Sequence, residues 1–286
     1  MKCSIIIPVY DEEDDISNCL VSLTSQTFKD FEIIIVDDGS KDYTLNMVKQ
    51  CIDAYDLDIK ILEQDHEGPG AARNLGAQHA KGDILIFIDA DMTFEPNYIE
   101  NLIEPLSPGQ GEWFGTTHDY EVATNTNNLW SSLWGEIRVS PENAVEVRIF
   151  RAIKKDIFLK MGGFDPKYGY ADDQTLWFKY TMGPNVAPNT TCYHNNPDTL
   201  KGTFKQARWI GASWPERFKM FGIPVVRFFV LLISFILLPF AILAKTFLQV
   251  VKKRVGPWNG IKFYSCKFTG YLVGVTRAIF MARFSK

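Results

Sequence analysis

From Ser4 to Asp91 the chain alternates short β-branched apolar runs with segments of helical period, and few folds accept that order. Ser4 to Val9, Phe31 to Val36, Ile59 to Leu62 and Ile84 to Ile88 read as strands, and roughly Asp14 to Ser25, Tyr43 to Tyr55 and Gly70 to Ala80 read as the helices between them. Strands joined through helices are parallel neighbours, so the expected class is α/β: a Rossmann-like mixed sheet flanked by helices. Each strand runs into polar residues, and open α/β sheets collect ligands at the carboxyl ends of their strands. Tyr10-Asp11, Asp37-Asp38 and Asp89 to Asp91 are therefore expected to approach one another.

Beyond Asn97 the period is mixed. A helix to Leu106, a strand over Trp113 to Tyr120, a helix over Leu129 to Arg138, a strand over Val145 to Phe150 and a helix over Lys154 to Met161 are expected, then a turn at Gly162 to Pro166. With 286 residues, 46% of them hydrophobic, the chain can build one large core plus an appendage, which excludes global disorder. Its five cysteines are scattered and never form a CxxC pair, so neither a disulfide framework nor a zinc knuckle is indicated and a reducing compartment fits. The apolar start is too short for a secretory segment and meets acidic residues at once, so no signal peptide is expected.

Charge divides the chain sharply. Residues 1–200 hold 15 Lys and Arg against 33 Asp and Glu, whereas residues 201–286 hold 15 against Glu216 alone. An acidic, cation-binding part joined to a tail that meets an anionic surface is the expected division, with lipid headgroups preferred over nucleic acid. Phe228 to Ala244 is a run of 17 uncharged residues. As a helix it rises roughly 26 Å against a bilayer core of about 30 Å, and continuing to Val251 closes the gap. Phe268 to Phe280, interrupted by Gly270, Gly274 and Arg277, suits an interfacial helix or a return arm. The expected domains are residues 1–215, catalytic, and 216–286, a basic apolar segment that spans or lies on a membrane.

Three acidic pairs offer chemistry. Asp37 and Asp38 end a buried strand, where they either serve the following turn or meet a ligand. Asp89-Ala90-Asp91 follows another strand and puts two carboxylates on one side of an extended segment, a geometry suited to Mg²⁺ or Mn²⁺, which take oxygen ligands from carboxylates and substrate phosphates. Asp172 and Asp173 are expected in the first turn of a helix, where they are either caps or a general base. His194, at a probable strand end, is a candidate third metal ligand or a structural histidine. Arg208 and Trp209 put a cation beside an aromatic, for a diphosphate and a sugar ring or for a membrane surface. Asn189-Thr190-Thr191 matches a glycosylation sequon but is discounted for an intracellular domain. No G-x-G-x-x-G follows the first strand, which removes the phosphate cradle of a dinucleotide oxidoreductase.

Over about residues 1–215 these motifs resemble the inverting family-2 glycosyltransferases of GT-A fold. Ser4 to Glu13 is similar to the family's opening strand and nucleotide loop, Leu23 to Phe31 to its "SLxxQTxxxFE", Val36 to Ser40 to "VDDGS", Gly70 to Gly82 to "ARNxGxxxAxG", Asp89 to Asp91 to "DxD", Gly162 to Asp165 to "GGFDE" and Asp172-Asp173 to the "ED" pair. The resemblance implies that Pro8, Tyr10, Asp11 and Asp38 line the base and ribose pocket, that Arg73 contacts the nucleotide, and that Asp89 and Ala90 meet the ribose or metal. It also implies that Asp91 coordinates a divalent ion bridging the diphosphate oxygens, that Asp173 takes the acceptor proton, and that Arg208 steadies the leaving diphosphate. Asp172 stands where the family has Glu, which leaves open which of the two acids is the base. Lys205 stands in place of Gln in "QxxRW" and only one substantial apolar run follows, so processive polymer synthesis is not expected. Met92 to Pro96 also differ from the pattern of dolichyl-phosphate mannosyl synthases.

The function so implied is metal-dependent transfer of a sugar from a UDP- or GDP-linked donor to a lipid, lipid-linked glycan or polyprenyl-phosphate acceptor, with the catalytic domain on the cytoplasmic face of a membrane. A non-catalytic nucleotide-sugar-binding subunit of a glycan assembly complex is the alternative.

Overall fold

The protein is described by a computed structural model that covers residues 2–110, 112–146, 148–212, 224–252 and 254–281. The described elements are β1 (Cys3–Val9), α1 (Ile16–Thr24), β2 (Phe31–Asp37), α2 (Thr44–Tyr55), β3 (Ile59–Glu63), α3 (Pro69–His79), β4 (Ile84–Phe87), β5 (Met92–Phe94), α4 (Tyr98–Ile103), β6 (Gly115–Ala123), α5 (Leu129–Ser132), β7 (Ile137–Val139), β8 (Ala152–Lys154), α6 (Lys155–Lys160), α7 (Thr175–Tyr180), β9 (Asn185–His194), α8 (Leu200–Ala212), α9 (Pro224–Val251) and α10 (Pro257–Met281). The chain divides into two compact units. The first takes residues 1–124, 137–166 and 172–195, and the second takes 125–136, 167–171 and 196–286.

The first unit is built on one mixed sheet of order β3-β2-β1-β4-β8-β6-β9-β5, with β7 paired to β6. The parallel half, β3 through β4, follows from the βαβ alternation. There β8 joins β4 antiparallel, β6 joins β8, and β9 runs parallel to β6 and antiparallel to β5. Successive strand residues point to opposite faces, and both faces are covered. Ile5, Ile7, Ile33, Ile35 and Ile86 pack with residues of α1, α2 and α4 in one core. Ile6, Ile34, Val36, Leu85 and Phe87 pack with residues of α3 and α6 in the other. Burial on two sides explains why these strands read as unbroken apolar runs.

Sequence and structure part company after residue 113. The helix expected from Leu129 to Arg138 ends at Ser132, and Gly135 at φ +112° turns the chain into β7. The strand expected over Val145 to Phe150 is a short 3₁₀ turn at Ala144–Glu146, and pairing begins only at Ala152. Phe150 instead fills the core against Phe114. Asp172 and Asp173 lie in a 3₁₀ stretch, Pro166–Gln174, before α7 and not in its first turn.

In the second unit α8 crosses α10 at glycines. A Cβ on Gly274 would collide with the Arg208 carbonyl, and one on Gly211 with the Tyr271 carbonyl, so Gly270 and Gly274 mark a close helix contact rather than a weak point. Leu133, Val255, Phe263 and Tyr264 form its small core. By compactness α8 groups with α9 and α10 in the second unit, and the boundary expected at residue 215 lies outside the described residues. Among the described residues no helix is long and apolar enough to cross a membrane. Helix α9 nevertheless leaves Ile236, Leu237, Phe240, Leu243, Phe247, Leu248 and Val251 exposed at helical spacing.

Candidate active site

At the ends of β1 and β2 the structure brings Pro8, Tyr10, Asp11 and Asp38 together. Pro8 pairs with Val36 across the two strands, and the Asp38 amide donates to the Val9 carbonyl at 2.9 Å. Lys41 donates its amide to Asp11 Oδ1 (2.8 Å), and Asp11, at φ +55°, donates its own to Ser40 Oγ (3.0 Å). Asp38 is buried and already engaged. Its carboxylate accepts from Gln64 Nε2 (2.7 Å) and from the amides of Glu67 (2.8 Å) and Gly68 (2.9 Å), and pairs with His66 Nδ1 at 2.8 Å. Asp38 thus organises the loop between β3 and α3. His66, which the sequence reading missed, stacks on Tyr10 with centroids 4.2 Å apart. Its signal was topological: a loop leaving β3 must return past the β1 and β2 ends to reach α3.

That loop delivers Gly70 to Asp172. The Gly70 amide donates to the Asp172 carboxylate, and a Cβ at Gly70 would lie 2.6 Å from Asp172 Oδ2. One turn along α3, Arg73 joins Asp172 Oδ1 (3.0 Å) to Asp89 Oδ1 (2.6 Å). Arg151 takes the other oxygen of Asp89 at 3.0 Å and lies 3.9 Å from Glu121 Oε2. Glu121 Oε1 accepts from Arg138 at 3.0 Å. The result is a ladder of alternating charge, Asp172, Arg73, Asp89, Arg151, Glu121, Arg138, whose inner members are nearly all buried. Ions taken from water need such pairing to stay charged. Arg151 and Glu121 were not singled out in the sequence, although an arginine inside Phe150 to Ile153 flags a buried cation with a buried partner.

The ladder sorts the acids. Burial pushes the Asp89 carboxyl up, but the Arg151 and Arg73 guanidiniums outweigh it and hold Asp89 well below the usual carboxylate range. Both Asp89 oxygens are occupied by arginine, and Ala90 is buried behind it. Burial raises Asp172 and Asp173 together, opposed at Asp172 by Arg73 and reinforced at Asp173 by the Asp172 charge. Asp172 is tied to Gly70 and Arg73. Asp173 Oδ1 is buried with no hydrogen-bond partner among the described residues.

Asp91 faces the other way. It lines a cavity of about 320 Å³ with Asp15, Asn18, Thr93, His194 and Asn195. Met92 pairs with His194 across β5 and β9, which holds Asp91 and His194 at one end of that ladder. Burial, then the charge of Asp89, raises the Asp91 carboxyl to about 7. A carboxylate so placed is short of positive charge. With an imidazole in the same cavity, the donor set fits a Mn²⁺ or Mg²⁺ ion. Asp89 adds nothing to that set while both arginines hold it. His118, Glu121 and Cys192 also bring ligand atoms within 4.8 Å of one another. There His118 is bonded to Glu121 (3.2 Å) and faces Cys192 (3.3 Å), burial keeps the thiol protonated, and two arginines flank the carboxylate, so a further cation is opposed. Arg208 and Trp209 lie on α8, in the second unit.

Residues 4–160 match the family described as Glycosyl transferase family 2, and the chain belongs to that family. It is 38% identical over 184 residues to glycosyltransferase AglE of Haloferax volcanii, covering 62% of this chain and 60% of AglE. Against a glycosyltransferase of Haemophilus influenzae it is 29% identical over 196 residues, covering 65% and 64%. The chain thus spans about 60% of the length of these relatives. Among solved structures, mannosyltransferase PcManGT of Pyrobaculum calidifontis, in complex with GDP-Man and Mn²⁺, superposes with a TM-score of 0.62 at 18% identity, covering 99% of this chain and 88% of that one. Residues 1–349 of S. aureus TarS in complex with UDP give 0.55 at 17%, covering 100% and 93%. These likenesses establish the GT-A type of fold for the mixed sheet.

Proposed function

We propose that the protein is a metal-dependent, inverting glycosyltransferase that moves a sugar from a UDP- or GDP-linked donor to a lipid or lipid-linked acceptor in one transfer. The observation that carries this reading is the division of labour in the acidic pair. Asp172 is spent on Gly70 and Arg73, which leaves Asp173 with a buried, unpartnered oxygen and a raised pKa, the condition of a general base. Asp173 takes the acceptor hydroxyl proton as that oxygen attacks the anomeric carbon, and the sugar's bond to the diphosphate breaks on the opposite side. Tyr10, with His66 behind it, offers a stacking surface for the base, and the UDP and GDP-Man held by TarS and PcManGT support a nucleotide donor. Asp91 and His194 would hold the divalent ion, which when bound neutralises charge on the departing diphosphate. Arg73 and Asp89 act in this reading as supports for that arrangement, not as direct ligands of the donor.

A mass-spectrometric assay with UDP- and GDP-sugars, Mn²⁺ and native membrane lipid tests the reading. Wild type forms product, and Asp173→Asn loses about 10²- to 10⁴-fold in kcat with donor binding retained. Undiminished transfer by that variant would reject the base assignment. Donor binding without product from any lipid extract would point to a non-catalytic subunit.

We further propose that the tail lies on an anionic bilayer, with the sheet on its cytoplasmic face. The exposed apolar stripe of α9 and the cationic excess of residues 201–286 complement a lipid surface together. Flotation with vesicles containing phosphatidylglycerol captures wild type, and pure phosphatidylcholine captures less. Phe240→Asp with Phe247→Asp abolishes capture; persistent flotation of that variant would overturn the lipid reading.

A further inference from the structure

Asp173 takes its direction from a backbone that no continuous helix fixes. The stretch Pro166–Gln174 is broken at Gly169 (φ 55°, ψ −122°) and at Ala171 (φ −108°, ψ 25°), directly before the acid pair. What ties that backbone down is Thr175, fully buried at the start of α7. A threonine hydroxyl can donate once and accept twice. Thr175 Oγ1 donates to the Asp172 carbonyl at 2.5 Å and accepts the Asp165 amide at 2.8 Å, so one side chain joins the residue before the stretch to the acid pair. The turn that carries Asp165 is anchored in its own way to α3. Asn74 Nδ2 donates to the Phe164 carbonyl (2.7 Å), and Asn74 Oδ1 accepts the Phe164 amide (2.9 Å). That fit needs glycine at 163, which has φ +69° and whose Cβ would lie 2.5 Å from Asn74 Oδ1. Gly70 and Arg73 of the same helix hold the Asp172 carboxylate, so α3 grips the pair by its side chain and, through Asn74 and Thr175, by its backbone. Asp173 Oδ1, without a hydrogen-bond partner among the described residues, stays outside this network.

We propose that Thr175 and Asn74 are positioning residues for the transfer: by fixing the backbone at Asp172 they aim the Asp173 carboxylate at the acceptor hydroxyl. A base displaced by about 1 Å loses on the order of 10²-fold in rate, which sets the size of the effect. The inference rests on the reading of Asp173 as the base.

The test uses the full chain with Mn²⁺, UDP- and GDP-sugars and native membrane lipid, reading kcat and KM by product, donor Kd by titration calorimetry and Tm by scanning calorimetry. Thr175→Val keeps the shape of the side chain and removes the hydroxyl. It should lose about 10²-fold in kcat with donor Kd and KM unchanged, because the displaced group is the base and not a donor contact. Thr175→Ser returns the hydroxyl and with it most of kcat. In an Asp173→Asn background Thr175→Val has no further effect on kcat, since no base is left to aim. A further loss of equal size in that background, or full kcat in Thr175→Val alone, overturns the proposal. Should Thr175→Val show no folded transition, Asn74→Asp takes its place: it keeps the acceptor for the Phe164 amide, loses the donor to the Phe164 carbonyl, and overturns the proposal if kcat is undiminished. Wild type without product, or Asp173→Asn with undiminished transfer, fells the base reading and this brace with it. An impaired Asp173→Asn beside a fully active Thr175→Val sinks the brace alone.

Discussion

The surroundings of Asp89 and of Asp91 start from one tripeptide and end electrically opposite. Asp89 has a guanidinium on each oxygen and is held strongly acidic; Asp91, two residues on, faces a polar cavity with its carboxyl raised to about 7. Extended geometry would place the two side chains on one side as joint metal ligands, but the arginines of α3 and of the segment before β8 reach only the first. A D-x-D segment therefore need not be a symmetric clamp. One member can be structural so that the other is left wanting a cation.

The strongest test of that asymmetry exchanges the members. Asp91→Ala should lose several kcal/mol of charge stabilisation in the transfer step, about 10²- to 10⁴-fold in kcat/KM, with no fall in Tm. Asp89→Ala leaves Arg73 and Arg151 buried without their shared partner and should cost about 3–5 kcal/mol of stability. At this chain length that is a fall of roughly 6–20 °C in Tm by scanning calorimetry, with Mn²⁺ still bound by the remaining folded protein. A stable, metal-blind Asp89→Ala would reverse the assignment.

The pH dependence of stability sharpens the contrast, because the two shifts have opposite sign. Asp89 has a depressed folded pKa, so its stabilisation is present above the unfolded value near ~4 and is lost as pH falls through the folded value. Asp91 has a raised folded pKa, so its cost is absent below about pH 4, grows as pH rises to about 7 and is constant above that. Against wild type without metal, Asp91→Asn should melt higher above pH 7 and equally near pH 4, while Asp89→Asn should melt lower at pH 7 and lose the difference in acid. Melting curves across that range that move in parallel would remove the distinction.

What the sequence disclosed follows the range of the interactions involved. The β1 to β4 half was legible because burial on both faces forces apolar runs and each crossover helix declares its own period. The acidic strand ends were legible too, since topology alone brings them to one edge. The division between Asp172 and Asp173 was not, because it depends on Gly70 and Arg73, about a hundred positions away. Arg151 and Glu121 escaped for the same reason: each is unremarked locally and gains meaning only when β8 and β6 pair. The strand expected over Val145 to Phe150 failed because Phe150 is apolar for a core contact that the sheet pairing, beginning at Ala152, does not include.

The smallest expected effect lies at the other acidic strand end, where Asp38, unlike Asp91, has all its needs met by the protein. If that end serves the nucleobase through the Tyr10 and His66 stack rather than through a free carboxylate, the two contributions of His66 can be separated. His66→Phe keeps a ring against Tyr10 but breaks the 2.8 Å pairing with Asp38, and His66→Ala removes both. The difference between the variants isolates the stack, worth about 0.5–1.5 kcal/mol, or roughly two- to tenfold in donor Kd by calorimetry. Equal affinities for the two variants would return recognition to Asp38, which would then have to release Gln64, Glu67 and Gly68 before a base could bind.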